Sequence, residues 1–199
     1  MSIRYLALGD SYTIGESVAE NERWPNQLAA SLQGRGYHVD TTIIARTGWT
    51  TDELWAGIQK ANPQGPYDLV SLLIGVNNQY RGYDIGEYRE SFRFLLNKSI
   101  EYAGGDKSRV FVVSIPDWGA TPFAGGRNAG QIAAEIDAFN AVNRQETETA
   151  GVLYVDITPI SRVDDPSLIA DDGLHPSGKM YGQWVDEMLP DVIALLDSR

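Results

Sequence analysis

The segment that most constrains the fold is residues 68–74, which read Asp-Leu-Val-Ser-Leu-Leu-Ile. It is almost entirely apolar but too short for a helix. This pattern is typical of a strand in a parallel sheet whose two faces are both covered by helices. A polar stretch, residues 75–82, follows directly and predicts a loop where the strand leaves the sheet. The segment therefore indicates an α/β fold.

Four other short apolar segments predict further strands, at residues 3–8, 38–44, 110–115 and 152–155. Between them, apolar residues recur at helical spacing. Strands separated by helices pair in parallel through right-handed crossovers. The chain, residues 1–199, is thus predicted to form a single domain, a three-layer α/β/α sandwich with a five-stranded parallel sheet. In the final predicted helix, Pro190 is expected to kink or split the helix because it removes a backbone donor.

Composition excludes several functional classes. Acidic residues number 27 against 16 Lys and Arg, a net charge of −11, which argues against nucleic acid or an anionic membrane as the main partner. The sequence has no cysteine, so disulfides, thiolate nucleophiles and cysteine metal sites are impossible. No apolar run approaches the roughly 20 residues of a membrane span, and no signal peptide is recognised. A cytoplasmic location is therefore expected.

A serine follows the first predicted strand, in the turn Gly9-Asp10-Ser11. Ligands of open α/β sheets bind at the carboxyl ends of the strands, where this turn lies. A serine hydroxyl is a poor nucleophile without an adjacent base. Of the two histidines, His38 begins a strand at the opposite edge, whereas His175 follows the last strand. By elimination, His175 is the candidate base for Ser11; the alternative is an ordinary serine in a polar turn.

Other groups that acyl transfer needs also follow predicted strands. Asp172 precedes His175 by three residues, close enough to orient the imidazole. Taken alone, this pair equally fits a helix-capping acid and a surface histidine before a proline. An oxyanion needs preorganised donors, which the backbone N–H groups of Ser11 and Gly48 and the side chain of Asn77 could supply. Gly48 and Asn77 taken singly would each be ordinary turn residues.

Four ordered blocks of the sequence resemble the SGNH hydrolases, also called the GDSL esterase/lipase family. They are Gly9-Asp10-Ser11, Gly48, Gly75-Val76-Asn77-Asn78 and Asp172-Gly173-Leu174-His175. The resemblance spans essentially the whole chain. One position departs from the family pattern, since Asn78 stands where the family usually has aspartate.

The resemblance implies a flavodoxin-like fold and a metal-free, cofactor-free hydrolysis of small carboxylic esters through an acyl-enzyme. By position, Ser11 matches the nucleophile, His175 the base and Asp172 the acid. Short acyl esters, including O-acetyl groups on sugars, are the expected substrates. The alternatives within the family are a thioesterase or a lysophospholipase. From a different class, the alternative is a flavodoxin-like module in which Ser11, Thr13 and Gly15 cradle the phosphate of FMN.

The candidate substrate-binding residues are Trp49, Asn78 and Trp118, and Phe123 is a further aromatic residue in these loops. For the aromatic side chains, core packing is the alternative interpretation. Three arginines, Arg46, Arg81 and Arg127, also lie in predicted loops. One of them could bind an anion of the substrate, and a solvated surface position is the alternative for each.

Overall fold

The computed structural model describes residues 1–197 and is built on five parallel strands. The strands are β1 (Ser2–Gly9), β2 (His38–Ala45), β3 (Leu69–Leu73), β4 (Val110–Val113) and β5 (Leu153–Val155). Their order in the sheet is β2-β1-β3-β4-β5, and every neighbouring pair is parallel. This is the flavodoxin-like order of a doubly wound sheet, so the predicted fold is confirmed.

Helices connect the strands and cover the sheet. They are α1 (Ser11–Ile14), α2 (Trp24–Gln33), α3 (Thr51–Ala61), α4 (Val76–Tyr80), α5 (Ile85–Tyr102), α6 (Ala129–Ala150), α7 (Thr158–Ser161) and α8 (Gly178–Asp197). Short 3-10 turns occur at Glu20–Glu22, Lys107–Arg109, Trp118–Ala120, Pro122–Ala124 and Pro166–Leu168. Within residues 1–197, none of the helices is both long and apolar enough to cross a membrane.

The crossovers divide the long helices between the two faces. The connection from β1 to β2 runs in one direction along the sheet, and those from β2 to β3, β3 to β4 and β4 to β5 run in the other. Right-handed crossovers then place α2 on one face and α3, α5 and α6 on the other. Contacts agree with this division, since α2 packs on α8, α3 packs on α5, and α5 packs on α6.

The strands β1, β2 and β3 end at the same level. Gly9 lies opposite Ala45 of β2 and Leu73 of β3. A Cβ atom at Gly9 would lie 2.5 Å from the carbonyl oxygen of Leu73 and 2.2 Å from Oγ1 of Thr13, so only glycine fits without rearrangement. Because the three strands end level with one another, the segments that follow them lie at one edge of the sheet.

Two local predictions differ from the structure. The polar stretch 75–82 is not entirely a loop, because α4 forms within it, beginning after Gly75. Of the two effects predicted for Pro190, the split does not occur: α8 is one helix from Gly178 to Asp197 with the proline inside it. The buried side chains of Trp184, Met188 and Val192 anchor α8 on both sides of the proline, which offsets the lost backbone hydrogen bond.

Candidate active site

Ser11 is buried and is the first residue of α1, just after the end of β1. Asp10 caps this short helix, because its Oδ1 accepts a hydrogen bond from the Tyr12 N–H at 3.0 Å. Ser11 lines a cavity of about 180 Å³ at the carboxyl edge of the sheet, and His175 lines the same cavity. The cavity is therefore lined by both a serine and a histidine.

Asp172 and His175 form a close pair in the segment before α8. Nδ1 of His175 lies 2.6 Å from Oδ2 of Asp172. The other carboxylate oxygen, Oδ1, accepts the backbone N–H groups of Leu174 and His175, each at 2.9 Å. A carboxylate can only accept, so the ring proton belongs on Nδ1 and the neutral imidazole keeps Nε2 as its acceptor.

The Asp172 carboxylate is held in its charged form. Partial burial would by itself raise its pKa. Hydrogen bonds from the Ser17 hydroxyl, the His175 ring and the backbone N–H groups of residues 174 and 175 outweigh that effect and lower the pKa below its ordinary value. The carboxylate is therefore an anion across the neutral range and can stabilise a positive charge on the neighbouring imidazole.

Packing and backbone hydrogen bonds fix the imidazole of His175. The ring of Tyr12 meets it edge to face, with ring centroids 5.7 Å apart. The backbone carbonyl of His175 accepts the N–H of Ala170 at 2.8 Å, and Ile169 forms an antiparallel bridge with Pro176. The ring consequently has a defined orientation, although it lies in an irregular segment.

Gly48 and Asn77 also border the cavity. Gly48 has φ of +86°, a conformation that favours glycine, and its carbonyl oxygen accepts a hydrogen bond from Arg81 at 2.6 Å. Nδ2 of Asn77 donates one hydrogen bond to the carbonyl of Trp49 at 2.9 Å. An amide nitrogen carries two hydrogens, so Asn77 retains a second donor.

Aromatic and aliphatic side chains form the rest of the wall. Trp118, Tyr80, Phe123 and Leu174 all line the cavity, in agreement with the position expected of Trp118. Nε1 of Trp118 donates to Oε1 of Gln79 at 2.8 Å, which satisfies the indole N–H, and its ring contacts the rings of Tyr80 and Phe123. The chemistry available here is that of a buried hydroxyl and imidazole beside a small, mostly apolar pocket.

The structure does not bring the other two candidate substrate-binding residues, Trp49 and Asn78, to this cavity. The indole of Trp49 packs on α3, where it covers the Cα of Gly57 so closely that a Cβ there would lie 2.1 Å from the ring. Asn78 is fully buried and exchanges hydrogen bonds with the backbone N–H and hydroxyl of Thr51, at 3.1 and 2.9 Å. Asn78 therefore ties α4 to the start of α3.

Several residues around the site were missed by sequence reasoning. Tyr12, Thr47 and Tyr80 line the cavity, and Ser17 contacts Asp172. Tyr80 lies in the polar stretch 75–82, and its position after a strand end could have predicted that it lines the site. Ser17 has none, because its partner lies 155 residues away in the sequence.

Asp10, next to Ser11, has an unusual environment. It is fully buried, and its Oδ2 has no hydrogen-bond partner among residues 1–197. Burial raises the pKa of Asp10 to about 7, and the hydrogen bond from the Tyr12 N–H opposes this only in part. A carboxyl group that is partly protonated near neutrality thus lies directly beside the candidate serine.

Known proteins resemble this chain over nearly its full length. The GDSL-like lipase/acylhydrolase family matches residues 7–183. An arylesterase of Vibrio mimicus is 24% identical over 188 residues, which are 94% of this chain and 86% of that protein.

Solved structures share the fold. TesA aligns with a TM-score of 0.75 and 18% identity, over 97% of this chain and 99% of that chain. The psychrotrophic esterase EstA from Pseudoalteromonas sp. aligns with a TM-score of 0.75 and 17% identity, over 98% of each chain. Axe2, an acetylxylan esterase from Geobacillus stearothermophilus, aligns with a TM-score of 0.71 and 19% identity, over 96% of this chain and 94% of that chain. Since the family match covers most of the sequence, the chain belongs to the GDSL-like lipase/acylhydrolase family and is a carboxylic ester hydrolase.

Proposed function

We propose that this enzyme hydrolyses small carboxylic esters through an acyl-enzyme on Ser11, with His175 as the base and Asp172 orienting it. The observation that carries the proposal is the 2.6 Å contact between Asp172 and Nδ1 of His175, together with the cavity that both His175 and Ser11 line. A charged carboxylate there stabilises the imidazolium that forms when the ring accepts a proton.

In the first half of the reaction, Oγ of Ser11 attacks the ester carbonyl carbon and its proton passes to Nε2 of His175. The carbonyl oxygen becomes an oxyanion, for which the N–H groups of Ser11 and Gly48 and the free Asn77 amide hydrogen are the proposed donors. When the intermediate collapses, the bond to the alcohol oxygen breaks. His175 returns its proton to that oxygen, and the alcohol leaves an acyl group on Ser11.

In the second half, a water molecule attacks the acyl-enzyme and gives its proton to His175. The same donors stabilise the second oxyanion. Collapse then breaks the bond to Oγ, which takes back the proton from His175, and the carboxylic acid is released. The imidazole is neutral again and the enzyme is ready for another substrate.

The size and lining of the cavity support small acyl groups. It measures about 180 Å³, and Trp118, Phe123 and Leu174 give it an apolar wall. O-acetyl esters of sugars remain one proposed substrate class, which the acetylxylan esterase activity of a structural neighbour supports. The FMN-binding alternative lacks such support, because neither Thr13 nor Gly15 lines the cavity.

Covalent labelling and substitution test the proposal together. A fluorophosphonate should add one adduct per chain, mapped by peptide mass spectrometry to Ser11. On p-nitrophenyl acetate, Ser11→Ala and His175→Ala should lose activity to about the same extent, because members of a triad act as a unit. His38→Ala is the matched control. His38 is exposed at the start of β2, at the amino ends of the strands, whereas the cavity lies at their carboxyl ends. Labelling elsewhere, or an inactive His38→Ala beside an active His175→Ala, would contradict the assignment.

A further inference from the structure

A second cavity adjoins the one that holds Ser11. It measures about 520 Å³, and Tyr80 and Trp118 line both cavities. Arg127 and Glu135 line the second cavity only. A substrate bound at Ser11 can therefore extend past this shared aromatic wall into a space that contains charged side chains.

The guanidinium of Arg127 is held by aromatic rings. Its Cζ lies 5.3, 5.1 and 5.0 Å from the ring centroids of Tyr80, Trp118 and Phe123, respectively. One nitrogen, Nη2, donates to the Tyr80 hydroxyl at 3.2 Å. All three rings line the cavity that holds Ser11. A guanidinium that packs against aromatic rings keeps its remaining N–H groups free for a planar anion.

No carboxylate within residues 1–197 forms an ion pair with Arg127, in contrast to Arg81 and Arg162. The carboxylate of Glu135 lines the same cavity, but its two oxygens accept amide hydrogens from Gln79 at 2.7 Å and from Gln131 at 2.9 Å. The amino end of α6, capped by Asn128, borders the cavity as well and adds positive potential. Arg127 is thus oriented by the aromatic rings and has no ion-pair partner among the residues that the structure describes.

We propose that Arg127 and the second cavity bind a carboxylate carried by the ester substrate, so that the enzyme prefers anionic esters to neutral esters of the same shape. This inference rests on the proposed function at Ser11, because the ester must lie in the first cavity while its carboxylate reaches the second. The protein's net charge of −11 repels anions in general, so the preference requires a local cation.

Two pairs of isosteric substrates test the preference. On the alcohol side, 4-acetoxybenzoate is compared with 4-acetoxybenzamide. On the acyl side, monoethyl glutarate is compared with ethyl glutaramate. Each pair differs only in carboxylate against carboxamide. The ratio of kcat/KM within each pair is measured by chromatography of the products. Its change from the wild type to Arg127→Gln isolates the recognition of charge, because the intrinsic reactivity of each ester is the same with both proteins. The pair that responds identifies the side of the ester that faces Arg127.

We expect Arg127→Gln to lower kcat/KM for the carboxylate member of one pair about tenfold, as is typical for the loss of one charge-assisted hydrogen bond. The carboxamide member should change less than about twofold, and Arg127→Lys should retain part of the preference. Added salt should weaken the preference of the wild type. Arg35→Gln is the matched control. This exposed arginine precedes β2, at the amino ends of the strands and away from the cavity. An unchanged ratio in both pairs for Arg127→Gln would overturn the proposal.

Binding to a protein that cannot turn over separates this inference from the proposed function. The same four esters are titrated calorimetrically into Ser11→Ala and into Ser11→Ala with Arg127→Gln. Tighter binding of a carboxylate that depends on Arg127 supports the anion site even if no ester were hydrolysed. Equal binding of carboxylate and carboxamide to both proteins would contradict it, while hydrolysis of neutral esters by the wild type would leave the proposed function intact.

Discussion

The hydroxyl of Ser17 donates a 2.6 Å hydrogen bond to Oδ2 of Asp172, the same oxygen that lies 2.6 Å from Nδ1 of His175. Ser17 has φ of +65°, which is uncommon for a residue other than glycine. A strained backbone position here carries the side chain that holds the carboxylate. Ser17 is therefore a positioning residue for the proposed triad.

Ser17→Gly should lower kcat several-fold to about tenfold with little change in KM, since one hydrogen bond to a charged group is lost. Glycine suits the positive φ, so this variant removes the hydroxyl without adding backbone strain. Ser17→Ala is the comparison. Its kcat should be similar to that of Ser17→Gly, but its midpoint of thermal unfolding should be lower than that of Ser17→Gly. Steady-state kinetics and calorimetry measure both effects. A wild-type kcat in Ser17→Gly would show that the hydroxyl does not serve the reaction.

Asn77→Ala should lower kcat about 10²–10³-fold, the usual effect of losing one oxyanion donor, with KM nearly unchanged. Its neighbour gives a matched control. Asn78→Ala removes the buried hydrogen bonds to Thr51, so it should mainly lower the midpoint of thermal unfolding. A pure KM effect in Asn77→Ala would instead make Asn77 a substrate-binding residue.

Asp10 should make the native state less stable as the pH rises. Its pKa is raised from 3.8 to about 7 in the folded protein, so its contribution is complete below pH 3.8 and is lost as the pH rises through about 7. Asp10→Asn should therefore gain stability relative to the wild type between pH 4 and 7, by at most about 1.4 kcal/mol per pH unit.

Urea unfolding at several pH values measures this difference. Asp40→Asn removes the same charge from an exposed position on β2 and is the control. Parallel stability curves for Asp10→Asn and the wild type would show that Asp10 is already ionised in the folded protein at acidic pH.

Activity should be highest on acetyl to butyryl esters and fall by octanoyl. In an apolar tunnel, each buried methylene of the acyl chain would stabilise the bound substrate by about 0.8 kcal/mol. The cavity here measures only about 180 Å³, which limits the length of chain that it can bury. Phe123→Ala should shift the optimum towards longer chains by opening the wall. Phe94→Ala is its control, because Phe94 is 41% exposed against 42% for Phe123 but packs on Trp55. Measuring kcat/KM on p-nitrophenyl acetate, butyrate, octanoate and palmitate tests this, and a wild-type maximum at octanoate or longer would contradict it.

The sequence predicted the features that depend on local pattern. The apolar segment 68–74 predicted the central strand β3, and the turn after residues 3–8 predicted the position of Ser11. Elimination between two histidines led to His175, which the structure brings to the cavity that Ser11 lines. These inferences needed only the rule that parallel strands end at one edge of a sheet.

Features that depend on contacts distant in the sequence were not predicted. The hydrogen bond from Ser17 to Asp172 and the contact of Arg127 with the ring of Tyr80 follow from tertiary packing, which leaves no periodic signal. The indole of Trp49 turns towards α3 because Gly57 offers it space, and the sequence does not reveal that space. Pro190 remains within α8 because packing on both sides of it overrides its helix-breaking tendency.

Along the sequence, Ser11 precedes and His175 follows an exposed segment that includes Gly125 and Gly126. A chain divided between these two glycines would carry the serine on one fragment, with β1 to β4, and the histidine on the other, with β5 and α8. Neither fragment alone would contain both groups. With the roles proposed here for Ser11 and His175, ester hydrolysis would require that the two fragments associate, so a chromogenic ester would report their reassembly.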